Sequence, residues 1–150
     1  MTSQNSINEF LAQKKLALIG ISRSGKKFGN MIFKELKSKG YQIFPINPNV
    51  ETIQGEHCYP SLKALTERVS GVIVVVPPFQ TEKIVYDVAS AGIKQVWMQQ
   101  GSESKSAIQF CKENGISVVE GECILMFAKP IKFFHRMHRG IWKLLGKYPK

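Results

Sequence analysis

Short apolar runs alternate with helical patterns along this chain, and each run ends in a turn rich in glycine, proline or amide side chains. Leu16-Ala-Leu-Ile-Gly20 reads as a strand buried on both faces, because it shows no polar alternation. From about Lys27 to Lys39, the residues Phe28, Met31, Ile32 and Leu36 recur at helical spacing, and Gly40 stops the helix. Tyr41 to Ile46 is a second strand, closed by Asn47-Pro48-Asn49. Residues 49–70 read mostly as loop, with a short helix near Ser61–Leu65. Val72-Ile-Val-Val-Val76 is a run of β-branched residues, a third strand stopped by Pro77-Pro78. Thr81 to Ala91 is helical through Ile84, Val85, Val88 and Ala89, and Gly92 closes it. Gln95 to Met98 is a fourth strand, followed by Gln99-Gln100-Gly101. Ser102 or Ser104 caps a helix that runs to Glu113, and Ile116 to Val119 is a fifth strand.

Strands alternating with helices across short turns predict an α/β, Rossmann-like, doubly wound parallel sheet of about five strands, with right-handed crossovers and helices on both faces. The pattern assigns residues 1–13 to an N-terminal segment, 14–128 to this domain and 129–150 to a basic amphipathic helix at the C-terminus. Such sheets bind ligands at the carboxyl ends of their strands, where the strand order reverses. Four turns are therefore candidates: Gly20–Gly25, Asn47–Val50, Pro77–Gln80 and Gln99–Ser102. Cys123, just beyond the fifth strand, is placed within reach of the same edge.

The first turn, Gly20-Ile21-Ser22-Arg23-Ser24-Gly25-Lys26-Lys27, is open to three chemistries. A nicotinamide or flavin site calls for Gly-x-Gly-x-x-Gly, then an acid at the end of the second strand. Here Ser22 takes the middle glycine's place and the strand ends Pro45-Ile46-Asn47-Pro48, so that reading is weak. A phosphate-cleaving loop calls for Ser or Thr after its Gly-Lys pair to hold magnesium, and Lys27 stands there instead. The third chemistry is simple anion binding, with Ser22 and Ser24 as donors, Arg23, Lys26 and Lys27 as counter-charge, and backbone N–H groups at the helix start. A solvated basic turn that merely caps a helix is its equal rival.

Length and composition suit one ordinary globular domain: 150 residues, 43% hydrophobic and 21% charged. The net charge of +10 is uneven, because Lys129, Lys132, Arg136, Arg139, Lys143, Lys147 and Lys150 lie in a stretch without an acid. A basic body wrapped by nucleic acid is not indicated. In that stretch Pro130 starts a helical pattern in which Ile131, Phe134, Ile141 and Leu144 or Leu145 recur, with Trp142 among them. Three roles are open to it: packing on the domain or on a second subunit, contact with an anionic membrane surface, and nucleic-acid binding. Three cysteines without Cys-x-x-Cys spacing point to reduced thiols in a cytoplasmic protein. No apolar run reaches the roughly 18–20 residues of a spanning helix, and the first residues do not read as a signal peptide.

Taken together, the turns resemble the CoA-binding domain family, small stand-alone Rossmann-like proteins related to the CoA-binding domain of the succinyl-CoA synthetase alpha subunit. The segments that carry the resemblance are Ala17–Ser22, Gly40–Pro48, Gly55–Leu62, Val74–Pro78, Trp97–Gly101 and Glu122–Met126, in order across residues 14–127. The resemblance implies coenzyme A or an acyl-CoA as ligand. It implies a phosphate loop from Gly20 to Gly25, lined by Ser22, Arg23 and Ser24 with Lys26 beside it. Asn47 and Pro48 would border the adenosine, Val76, Pro77 and Pro78 would form a rigid wall beside the nucleotide, and Gln99, Gln100 and Gly101 would follow the pantetheine arm; apart from the resemblance, Pro77, Pro78 and Phe79 offer part of an apolar slot for an adenine. Many relatives carry a lysine just after the Asn-Pro turn; Asn49-Val50 stands here. Either Arg23, Lys26 or Lys27 supplies that charge, or affinity for the 3′-phosphate falls.

No catalytic constellation is apparent, and the histidine-phosphorylating domain of the large ligases is not in this chain, so a non-catalytic binding protein is expected. Cys123 has two readings: a small buried hydrophobe, or a thiol close enough to that of CoA for a mixed disulfide. The alternatives from other classes are an NAD(P)-type enzyme and an adaptor acting through the basic tail.

Overall fold

A computed structural model describes residues 2–128. Five strands form one parallel sheet: β1 (Lys15–Ile19), β2 (Gln42–Ile46), β5 (Gly71–Val74), β6 (Gln95–Gln99) and β7 (Ser117–Glu122). A small antiparallel hairpin, β3 (Thr52–Ile53) and β4 (Glu56–His57), turns over at Gln54-Gly55. Four helices complete the set: α1 (Gln4–Leu11), α2 (Phe28–Ser38), α3 (Pro78–Ser90) and α4 (Lys105–Glu113). Short 3-10 turns occur at Leu62–Ala64 and Ile124–Met126.

The strand order is β2-β1-β5-β6-β7. From β1 the chain steps outward to β2, then returns past β1 to β5 and continues the other way. The order therefore reverses between β1 and β5. Alternate side chains of each strand feed two cores. Leu16, Leu18, Ile73, Trp97 and Val119 pack with α1, α2 and the Ile124–Met126 turn. Ala17, Phe44, Val72, Val74, Val96 and Met98 pack with α3 and α4. This is the doubly wound arrangement expected from the alternation of elements.

Three local features depart from the sequence pattern. The N-terminal segment contains α1, capped by the Ser3 hydroxyl, and its Ile7 and Phe10 are fully part of the first core. Thr2 holds it in place: its hydroxyl donates to Glu120 O at 3.0 Å and accepts from Glu120 N at 2.7 Å, along the edge of β7. Helix α2 is rotated relative to expectation. Ile32 and Leu36 are buried, but Phe28 and Met31 are 40% and 48% exposed, and Gly29, Asn30 and Phe33 face inward in their place. Within residues 49–70 the short helix expected near Ser61–Leu65 is present as a 3-10 turn at Leu62–Ala64, and the β3–β4 hairpin is the departure. The basic amphipathic helix expected over 129–150 lies outside the described residues.

Candidate functional site

The reversal between β1 and β5 brings the turns after these strands side by side at one rim. Backbone meets backbone there without side chains between. A Cβ at Gly20 would lie 2.1 Å from Val75 O, and one at Gly29 would lie 2.3 Å from Gly20 O. Gly20 also holds a positive φ of 125°, a conformation that L-residues avoid. Two bare positions thus let the first turn of α2 press on the end of β1, and β1 on β5.

The loop from Gly20 to Lys27 is held by three side chains. Asn30, buried on α2, accepts Ser22 N–H on Oδ1 at 3.0 Å and donates from Nδ2 to Ser22 O at 3.0 Å. Asn47, after β2, donates to Ile21 O at 2.8 Å and accepts Asn49 N–H at 2.8 Å. Arg23 reaches across the rim, its Nη2 donating to Asn49 O at 2.7 Å. Within the loop, the Ser22 and Ser24 hydroxyls bond each other at 2.8 Å, and Ser24 Oγ accepts Lys26 N–H at 3.3 Å. Lys27 is the residue before the helix and offers no side-chain cap. Its carbonyl accepts the N–H groups of Asn30 and Met31, so the first two N–H groups of α2, on Phe28 and Gly29, carry the positive end of the helix dipole at the rim.

Two depressions meet at this loop. One, about 370 Å³, is bordered by Ile21, Asn47, Pro48, Asn49 and Gln80. The other, about 480 Å³, is bordered by Phe28, Gly29, Gln99, Gln100, Gly101 and Ser102. Both include Gly20, Lys27, Val75, Val76 and Pro77. The result is one crevice across the carboxyl ends of β2, β1, β5 and β6. Its described lining contains one cation, Lys27, and no acid. A further depression of about 420 Å³ sits among residues that precede β5 and β6, at the far end of the sheet from these turns.

The sequence-selected residues divide accordingly. Gly20, Asn47, Pro48, Val76, Pro77, Gln99, Gln100 and Gly101 line the crevice. Ser22, Arg23, Ser24, Gly25 and Lys26 form the loop above it without lining either depression, and Pro78 begins α3 outside them. Lys27, expected only as one of three possible counter-charges, lines the crevice, as does Ser102 at the end of its candidate turn, and Asn30, which the pattern did not mark, holds the loop. Asn30 lies off the helix face that Phe28, Met31, Ile32 and Leu36 mark in the chain, so only the rotation of α2 brings it inward. Ser102 is buried; its hydroxyl accepts Val76 N–H at 3.0 Å and its carbonyl accepts the Thr81 hydroxyl at 2.7 Å, which locks the β5 and β6 turns together.

The turn after β6 needs a correction. Gln99 is 2% exposed, and its Oε1 accepts the Ile124 N–H at 3.1 Å. Its amide braces the core while that of Gln100 is exposed. The backbone is not open either: Gln100 N–H bonds Glu122 O, Gly101 N–H bonds a Glu103 carboxylate oxygen at 2.9 Å, and Ser102 N–H bonds Gln99 O.

Cys123 is likewise drawn inward. It belongs to the first core, is 5% exposed, and lines neither depression. Burial pushes its thiol up from the ordinary value. Burial pushes Cys111, on α4, up to about 11. Thiolate is therefore scarce at neutral pH, and attack on a disulfide needs thiolate. Native protein incubated with oxidised CoA at pH 7.5 is expected to carry no adduct at Cys123 by intact mass, and to gain one only after unfolding in denaturant. A native adduct that disappears in Cys123→Ser would contradict this placement.

The family described as CoA binding domain matches residues 14–129, which include every residue of the crevice. The chain belongs to that CoA-binding domain family. The Bacillus subtilis protein YneT is 30% identical over 127 residues, covering 81% of this chain and 91% of its own length. The alpha subunit of Pyrococcus furiosus acetate–CoA ligase [ADP-forming] II is 26% identical over 129 residues, but these are only 28% of that subunit. A solved structure of a Pyrococcus horikoshii OT3 hypothetical protein superposes with a TM-score of 0.77 at 31% identity, covering 82% of this chain and 87% of its own. The chain thus matches nearly the whole of a protein of about its own size and little more than a quarter of a larger ligase subunit. No described helix is long and apolar enough to cross a membrane.

Proposed function

We propose that this protein binds coenzyme A or an acyl-CoA along the crevice at the carboxyl rim of its sheet, as a holder of the ligand rather than a catalyst. The observation that carries the reading is the junction of the two depressions at Gly20 and Lys27. A diphosphate is the centre of CoA, with adenosine on one side and the pantetheine arm on the other. The junction offers the ammonium of Lys27 and the N-terminus of α2 to that diphosphate. The 370 Å³ depression, walled by Pro48, Val76 and Pro77, takes the adenosine end. The 480 Å³ depression takes the pantetheine arm, beside Phe28 and the Gln100 amide. Among the described residues His57 stacks edge-on against Tyr59 at 4.5 Å, and Cys58 is buried with its thiol directed to Asn47 O; neither lines the crevice.

The NAD(P) reading has less support. Its acid at the end of the second strand is replaced by Asn47, and both ends of that amide are engaged by backbone. No carboxylate lines the described crevice to hold a ribose diol.

A thermal-shift panel of CoA, acetyl-CoA, dephospho-CoA, NAD, NADP and ATP tests the proposal. A ligand at a hundred times its Kd stabilises the native state by about 2.7 kcal/mol. CoA or acetyl-CoA is expected to raise the melting temperature by several degrees, and NAD by none. Stabilisation by NAD without CoA would remove the CoA reading. Lys27→Gln removes a charge-assisted contact and is expected to weaken CoA about tenfold by calorimetry, whereas Lys26→Gln changes it less than about threefold, as an exposed charge outside the lining.

A further inference from the structure

Helix α2 carries an outward stripe that changes character along its length. Phe28, Met31 and Glu35 recur at three- and four-residue intervals, so they share a face, and Lys39 continues it just past the helix end. Gly29 must press on Gly20 O. That seating turns Phe28 and Met31 outward, where they are the large exposed apolar side chains of this helix. At the foot of the stripe, Lys39 Nζ donates to Ala128 O at 3.4 Å. Ala128 is the last described residue, and the Ile124–Met126 turn before it packs against α2 in the first core. The chain therefore leaves the described domain at the C-terminal end of α2, beside the stripe. From Lys39 back to Phe28 the stripe is about 16 Å long, at 1.5 Å per residue. Residues 129–150 are more than long enough to run along it.

We infer that this face of α2 is the seat of residues 129–150 of the same chain, which dock on it as a helix running antiparallel to α2. Only Lys129 separates Ala128 from Pro130, a residue suited to the first turn of a helix. A connection that short joins antiparallel neighbours. Helical rise counted from Ala128 sets Phe134 about level with Glu35, His138 with Met31, and Ile141 with Phe28. Phe28 and Met31 thus lose their exposure to a helix whose apolar residues recur at matching intervals. Charge agrees as well. The segment holds seven cations and no acid, and the acid on the stripe, Glu35, falls between the levels of Lys132 and Arg136. An anionic membrane or a nucleic acid would draw on the same cations but would leave Phe28 and Met31 uncovered. Phe28 borders the 480 Å³ depression, so the docked segment passes beside the crevice. The inference does not depend on what the crevice binds.

Disulfide trapping in the full chain tests the seating. Met31→Cys is paired with His138→Cys; Met31 is exposed, so the change leaves the core intact. The native cysteines are buried and do not compete. Mild oxidation with copper–phenanthroline is expected to close a disulfide within one chain, read by intact mass and non-reducing gel. It should close at least about tenfold faster than in the control pair Lys83→Cys with His138→Cys, whose first position lies on α3, the helix of the second core. Hydrogen exchange supplies a second readout. Amides of residues 131–142 are expected to exchange at least about tenfold more slowly than in a free peptide of that sequence. Met31→Asp should remove this protection and leave that of α3 and α4 unchanged. Equal closure rates in the two pairs, or a disulfide formed only between chains, overturns docking in cis. So does protection that appears only when phosphatidylglycerol vesicles or duplex DNA are added, which would assign the segment to that partner instead.

Discussion

Replacing Gly20 by alanine is expected to cost about 3–5 kcal/mol of folding stability, the sum of left-handed backbone strain and an overlap that backbone cannot relieve. The new Cβ would lie 2.1 Å from Val75 O and 2.7 Å from Val75 C. Both are main-chain atoms of the turn after β5, held by the bond from Val75 N to Ile19 O at 2.8 Å, so no rotamer change makes room. Movement must separate β1 from β5 at the place where the strand order reverses, and the crevice opens with it. Urea unfolding followed by far-ultraviolet circular dichroism measures the loss, and CoA affinity should fall with it. Gly29→Ala is the companion. Gly29 sits in a regular helix, so its cost is the overlap with Gly20 O at 2.3 Å alone, about 1–3 kcal/mol. A Gly20→Ala protein within about 1 kcal/mol of wild type would show that the rim is not packed backbone to backbone.

Asn30→Ala is the second large effect. It removes two hydrogen bonds to the Ser22 backbone, and a longer one from the Ser22 hydroxyl at 3.4 Å, from a residue only 1% exposed. The N–H and C=O of Ser22, a half-buried residue, lose the partner between them, at about 0.5–1.5 kcal/mol for each bond and more where water does not replace it. A loss of about 2–4 kcal/mol in stability is expected. The loop that offers its N-terminal dipole and its cations to the ligand would no longer be preorganised, and CoA affinity drops as well. Asn30→Asp separates the two consequences. The carboxylate still accepts from Ser22 N–H but cannot donate to Ser22 O, and it sets a negative charge beneath the anion site. Affinity should then fall more than stability. Equal stability and equal CoA affinity for Asn30→Asp and wild type would remove the role assigned to this side chain.

The residues differ in how far each property was legible in the chain. Runs such as Leu16–Ile19 and Val72–Val74 announce strands covered on both faces, because only such strands lack a polar side. Their alternation with helices dictates a parallel sheet, and parallel strands put all their carboxyl-end turns on one rim. The candidate turns followed from chain order alone for that reason. So did Asn47, Pro48, Pro77 and Gly101, whose backbone cannot leave the rim, whereas Val76 entered only through the family resemblance. What the pattern left open is rotation and reach. Ile32 and Leu36 fit a helix face with Phe28 and Met31 as well as one with Gly29 and Phe33. The choice was made by Gly20, which accepts only a bare Cα against it. The hairpin in residues 49–70 escaped because strands of two residues show no alternation.

Side-chain direction at the rim was equally beyond the sequence. Gln99 and Gln100 are neighbours of the same chemistry, yet Gln99 ends β6 inside the core, where it meets Ile124, and Gln100 lies in the turn beyond the strand and is exposed. Cys123 follows β7, whose pairing with β6 shifts register between Trp97 and Gln99 of that neighbour, and it belongs to the core with the Ile124–Met126 turn. The chain by itself thus determined the elements, their parallel order and the rim on which a ligand would lie, because these depend on local hydrophobic periodicity. Only the tertiary structure decided that Lys27 sits at the centre of that rim, that Arg23 crosses to Asn49, and that Asn30 holds the loop between them. Those contacts join residues whose separation in space is set by how α2 seats on β1, and no pattern along the chain encodes that seating.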